Sequence, residues 1–203
     1  PIFTKEDQVG TLGELLVLEQ ILIYYNSKEC LGFWKAPEGK DDLHDFEGDT
    51  VNLEIKTSST VPRKFYVDNL DQMDEKIIYP KSLIIIFVKL IPGKEITLPV
   101  IVNRIRKLCS EIGNSVEFED ILEKRGYNNN EEDIYSQNQF NLEGFDWHLV
   151  NDETPIHTSK DLIQEFDAVV SLKQTINPNK INFQEIARPE DWMEIINQLQ
   201  NNM

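Results

Sequence analysis

Residues 42–58 read DLHDFEGDTVNLEIKTS, and the string VNLEIKT within them sets a glutamate and a lysine at alternate positions of a strand-like run. Alternate side chains of a strand share a face. Val51, Leu53, Ile55 and Thr57 therefore point one way, toward a core, while Asn52, Glu54 and Lys56 point the other. The second face presents a carboxylate and an ammonium, about 6 to 7 Å apart at their Cα atoms. LHDF leads into a turn at EGDT and VNLEIKT returns, so a hairpin is predicted, with Asp45 near the strand end opposite Glu54. Two carboxylates converging there suit a hard divalent cation such as Mg2+, which takes oxygen ligands and keeps waters and phosphate oxygens in its shell. The carbonyl of Ile55 offers a further oxygen. Lys56 beside the cation could position or activate water and offset charge on a phosphorane-like transition state. Such a set can hydrolyse a phosphodiester. Glu and Lys at i and i+2 also occur on ordinary half-solvated sheets, and the tripeptide alone decides nothing.

Working outward, the first helix is predicted over Thr4 to Tyr25, capped by Thr4 with Asp7 three residues on. On a helical wheel Glu14 lies among Gly10, Val17, Leu18, Ile21 and Tyr25, an arc otherwise apolar or small. A glutamate there needs a metal, a lysine or a hydrogen-bonded water, unless it reaches solvent at the rim. Gly10 and Gly13 permit close approach of another backbone. NSKECLGFWKAPEGKDD reads as loop, STVPRKFYV as loop with a short extended piece, and DNLDQMDEKI as a short helix. SLIIIFVKLI (82–91) is a fully buried strand, too short to span a membrane, followed by a turn at Pro92 and Gly93. Helices follow, from the Thr97 cap to Gly113 and through SVEFEDILEKRGY to Gly126. YNNNEEDIYSQNQ reads as a polar loop, FNLEGFDWHLV and FDAVVSLKQT as strands, and RPEDWMEIINQLQ as a helix starting at Pro189.

The 203 residues suit a single domain, 1–203, with its core at about 4–150 and an extension over 151–203. The 40 % apolar content argues against disorder. A first residue of Pro1, with no initiator methionine, points to a processed chain or part of a longer one. Cys30 and Cys109 lack metal-type spacing and read as reduced thiols. No stretch reaches transmembrane length and no secretion signal opens the chain, so a cytoplasmic, membrane-free protein is expected. The formal charge of −16 repels nucleic acid at long range.

Glu14 in GTLGELLVLEQIL, Asp45 in LHDF and Glu54-Ile55-Lys56 in VNLEIKTSS together resemble the PD-(D/E)XK nuclease superfamily. In order and spacing, LGELLVLEQIL, the Trp34 and Pro37 stretch, HDF, LEIKT, NLDQM and FEDILEKRGY are similar to a bacterial PD-(D/E)XK motif family found beside phage-defence and restriction genes. The resemblance covers roughly residues 8–150. It implies an α/β restriction-endonuclease-like core, with a mixed central sheet flanked by helices. It also implies that Asp45 and Glu54 bind the metal, that Lys56 assists catalysis and that Glu14 supports the metal site from the first helix. Gln72 matches a position where relatives place a glutamine, and reads equally as an exposed helical residue. His44 stands where the superfamily often has proline, and is expected to be structural. Asp42 and Glu47 compete with Asp45, which is preferred for its place in HDF. The implied activity is an endonuclease cutting DNA with Mg2+, or Mn2+ in its place, in a restriction or anti-phage system. The expected partners are DNA and either other defence-system subunits or a second copy of the chain. The acidic charge conflicts with DNA binding, which draws on Lys and Arg. Arg63-Lys64, Arg104-Arg106-Lys107 and Lys124-Arg125 offer local basic groups, and a partner or a further segment of chain is expected to supply the rest. The rivals are a nuclease fold that binds without cutting and an acidic protein-interaction module.

Overall fold

The computed structural model describes residues 3–35, 44–67, 73, 81–156 and 174–200. Helix α1 spans Lys5–Tyr25, and its start is fixed by a reciprocal capping box between Thr4 and Asp7. Its residues are buried on nearly every side from Gln8 to Leu22, as expected of a central helix rather than an amphipathic surface one. A short helix, α2 (Cys30–Phe33), interrupts the stretch that reads as loop, because Cys30 and Leu31 tuck into the core. Strands β1 (Phe46–Glu47), β2 (Val51–Ser58) and β3 (Phe65–Val67) follow, and then the long β4 (Ser82–Ile96). Helices α3 (Leu98–Ile112) and α4 (Ser115–Lys124) end near Gly113 and Gly126, both at positive φ. The short α5 (Glu132–Tyr135) leads into β5 (Phe140–Leu149). Strands β6 (Gln174–Ile176) and β7 (Gln184–Ile186) and helix α6 (Pro189–Leu199) complete the described chain.

The main sheet runs β1-β2-β4-β5-β7. β2 and β4 pair in parallel and the other neighbours antiparallel, so the sheet is mixed. β3 and β6 form a separate antiparallel pair. The isoleucine run of β4 explains why both faces must be covered. Ile84, Ile86, Val88 and Leu90 pack into the large core with α1, α3 and α6, while Leu83, Ile85 and Phe87 enter a second cluster with Phe65, Val67, Met73 and Ile176. A strand buried on both faces reads as a continuous apolar run, not an alternating one. The expected α/β architecture, a mixed sheet flanked by helices, is thus the one observed.

Three expectations for single segments are corrected. Pro92 and Gly93 do not end β4. The strand runs on to Ile96 through a bulge against β5, where the Asn141 side chain accepts the Lys94 and Glu95 amides. Gly93 is needed there because a Cβ would come within 1.9 Å of Asn141 Oδ1. The polar run after Tyr127 is not simply a loop. It holds a 3-10 turn (Asn129–Glu131) and α5, pinned by the fully buried Tyr135. Gly10 meets nothing within 4 Å, so only Gly13 serves a close approach. Gln72, Pro37, Asp42, His157, the DNLDQMDEKI helix apart from Met73, and most of FDAVVSLKQT lie outside the described residues.

Candidate active site

The β1–β2 hairpin sets the geometry. Phe46 pairs with Leu53, which places Asp45, one residue before β1, across from Glu54. Val51, Leu53 and Ile55 enter the large core beneath α1. On the other face Asn52 and Glu54 are also buried, so Glu54 sits in protein rather than in open solvent. A buried carboxylate requires partners. Lys56 Nζ lies 2.6 Å from Glu54 Oε1, and His44 Nδ1 stands 3.6 Å from Oε2, beyond hydrogen-bonding reach. Asp45 Oδ2 accepts the Ile55 amide at 2.8 Å, so the same residue whose carbonyl is a candidate ligand orients the aspartate.

Glu14 approaches from α1. Gly13, next to it, lets the helix settle onto β2, since a Cβ there would lie 1.8 Å from Thr57 Oγ1. Glu14 is held there by an indole and a guanidinium. Its Oε2 accepts Trp34 Nε1 at 3.0 Å and is ion-paired with Arg125. Arg125 also donates to the Lys35 carbonyl and lies with Cζ 4.8 Å from the centre of the Trp34 ring. In the sequence Arg125 reads as a local basic group for DNA or, equally, as solvated charge at a helix end. Only 11 % of its side chain is exposed, because α4 delivers it to the space between α1 and the Trp34 loop.

The three carboxylates respond differently to this setting. Burial, followed by the charges of Glu14 and Glu54, holds the Asp45 carboxyl well above its usual range, and the Ile55 amide and Arg125 oppose this without prevailing. Burial likewise raises Glu14 against the pull of Arg125 and the Trp34 hydrogen bond. Burial also acts to raise Glu54, but Lys56 and His44 outweigh it and hold that carboxyl below its usual value. Glu54 is therefore the committed anion of the site.

Among the described residues no three His, Cys, Asp or Glu side chains gather closely enough to hold a metal by themselves. The donor set fits a different kind of site. Glu54 Oε2 is buried without a hydrogen-bond partner among the described residues, and Asp45 and the Ile55 carbonyl are its neighbours across and along the hairpin. One or two carboxylates with water and substrate oxygens is the usual Mg2+ arrangement. Gln72 lies outside the described residues, while Glu47 stands opposite Asn52 on β1. Trp34, marked in the sequence only as part of a family-like stretch, and His44, expected to be structural, both border the site, Trp34 through Glu14 and His44 beside Glu54.

A mixed five-stranded sheet flanked by helices, with an acidic residue just before one hairpin strand and Glu-x-Lys on the next, is consistent with a restriction-endonuclease-like fold. The chain belongs to the family described as "Putative PD-(D/E)XK family member, (DUF4420)", whose profile matches residues 1–176. Comparison with curated proteins gives no match, and neither does comparison with solved structures.

Proposed function

We propose that this chain hydrolyses DNA phosphodiesters with a divalent cation, Mg2+ or in its place Mn2+, as an endonuclease of a bacterial restriction or anti-phage defence system. The observation that carries the reading is the Glu54–Lys56 pair on β2 with Asp45 across the hairpin, built over a strand whose other face is locked into the core. Asp45, Glu54 and the Ile55 carbonyl are the groups that would hold the cation. When bound, the cation supplies charge stabilisation to the phosphate and makes water a better nucleophile. The chain's own contribution is orientation and charge. Lys56 Nζ donates to the attacking water or to a phosphate oxygen, and its charge offsets the negative charge that builds on phosphorus. Glu54, held ionised by Lys56 and His44, is ready to receive a cation without first losing a proton. Glu14 acts through its contacts with Trp34 and Arg125 rather than by touching substrate.

A plasmid-cleavage assay with Mg2+ or Mn2+, with the genomic neighbours added, tests the reading. Wild type is expected to cut. Lys56→Ala and Glu54→Ala are each expected to lose about 100-fold or more, the usual effect of removing one transition-state donor or charge. No cutting by wild type with its neighbours present would favour a nuclease fold used only as a scaffold, whereas metal-independent cutting would overturn the role given to the cation.

A further inference from the structure

We propose that Arg125 is a positioning residue for the candidate site, fixing the segment that carries Asp45. The inference rests on reading Asp45 and Glu54 as those ligands. Three contacts carry it. The guanidinium is ion-paired with Glu14, donates to the Lys35 carbonyl and lies over the Trp34 ring. Trp34 and Lys35 both meet the start of the hairpin: Trp34 forms a bridge with Phe46, and the Lys35 amide donates to the Asp45 carbonyl at 3.1 Å. One side chain thus ties α1, the Trp34–Lys35 segment and the Asp45 backbone together from the end of α4. The Glu14 oxygen that takes Arg125 is the same one that takes the Trp34 indole, so the glutamate is committed to this cluster.

The planar, multi-donor guanidinium suits this task, and a lysine could not reproduce both the stacking and the paired contacts. Partners that orient metal ligands commonly change metal affinity by about 10–100-fold when removed. The Ile55 amide provides a reporter independent of metal. It donates to Asp45 Oδ2 rather than to the short β1 ladder, so its hydrogen exchange reads whether Asp45 is in place.

The test compares wild type with Arg125→Lys, Arg125→Met and the double variant Arg125→Met with Glu14→Gln. The double variant removes the buried carboxylate together with its counter-charge, and so remains interpretable if Arg125→Met alone fails to fold. Exchange at the Ile55 and Lys35 amides is measured alongside Mn2+ binding by electron paramagnetic resonance. In the double variant, both amides are expected to exchange at least tenfold faster while those of β4 stay protected, and Mn2+ affinity is expected to fall at least tenfold. Arg125→Lys is expected to lie between this variant and wild type. Unchanged exchange at Ile55 and Lys35 in a folded double variant would overturn the role of Arg125. If wild type binds no Mn2+, the metal reading fails, and the exchange data still decide whether Arg125 positions Asp45.

Discussion

Asp45 is an acid that the fold prefers to keep neutral. Its folded-state carboxyl is held well above the ordinary 3.8 by burial and by two neighbouring carboxylates. An acid raised on folding binds more protons in the folded state, so stability falls as pH rises from its ordinary value through its folded value. Above the folded value the whole penalty is present. Asp45→Asn keeps an oxygen for the Ile55 amide and removes that penalty. It is expected to stabilise the metal-free protein at pH 7–8 by about 1–2 kcal/mol, the common gain when a functional compromise is removed. The gain should shrink toward pH 3, where wild-type Asp45 is protonated too. Glu54 has the opposite sign, because its folded value is lowered from 4.5 by Lys56 and His44 against burial. Its contribution is present above the unfolded value and lost as pH falls through the folded one. Glu54→Gln should therefore destabilise at neutral pH and approach wild type in acid. Urea unfolding across pH 3.5–8 checks both, and an Asp45→Asn protein no more stable than wild type at pH 8 would remove the argument.

At the level of elements, the contact between α1 and β2 sets the distance from Glu14 to the hairpin. Gly13→Ala gains about 1 kcal/mol of helix propensity. It also drives a Cβ to within 1.8 Å of Thr57 Oγ1, and overpacking of this kind costs about 1–3 kcal/mol. A net loss is expected, recovered in the double variant with Thr57→Ala, because Thr57 Oγ1 has no hydrogen-bond partner to lose among the described residues. Gly10→Ala, with nothing within 4 Å, should stabilise by about 0.5–1 kcal/mol. Thermal melts of the four proteins test this, and a stabilising Gly13→Ala would show that α1 does not sit tightly on β2. The two glycines look alike in the sequence, since close approach is a property of the partner strand. The same limit governs the rest. Caps at Thr4, Thr97 and Gly113 were legible because their signals lie within a few residues of what they do. The bulge at Pro92–Gly93 depends on Asn141 from another strand, and the burial of Arg125 depends on α1 and the Trp34 loop. Asp45, Glu54 and Lys56 stood out because a hairpin brings near neighbours together, whereas Arg125 needed the whole fold. Helix α6 adds a similar long-range link: the Leu199 carbonyl accepts the Asp49 amide and the Gln198 carbonyl accepts the Thr50 hydroxyl, bracing the turn of the hairpin from residues beyond the family match.

Across the whole molecule, the charge of −16 has a structural counterpart. Arg104 is held by Glu19, Arg106 by Glu119 and Glu132, Arg125 by Glu14, Arg63 by Glu143 and Arg188 by Asp191. Lys89 and Lys124 likewise meet Asp146 and Asp120. The arginines Arg104, Arg106 and Arg125 of the runs that suggested phosphate contacts are thus already engaged with carboxylates. Surface pairs of this kind contribute little stability, but each one that must open costs a bound phosphate part of its attraction. DNA affinity gained through phosphate contacts falls with salt at a slope of about 0.9 per contact. With two phosphate contacts, one each from Lys64 and Lys107 of those runs, affinity for duplex DNA should fall only about tenfold between 50 and 200 mM salt, against the ~10³–10⁵-fold loss of a protein making 6–10 contacts. Fluorescence anisotropy of a labelled duplex, in Ca2+ to prevent cutting, measures the slope. A steep slope would mean that the ion pairs open onto DNA and that the chain binds its substrate unaided. A shallow one, with tight binding restored by its genomic neighbours, would assign the grip on DNA to a partner.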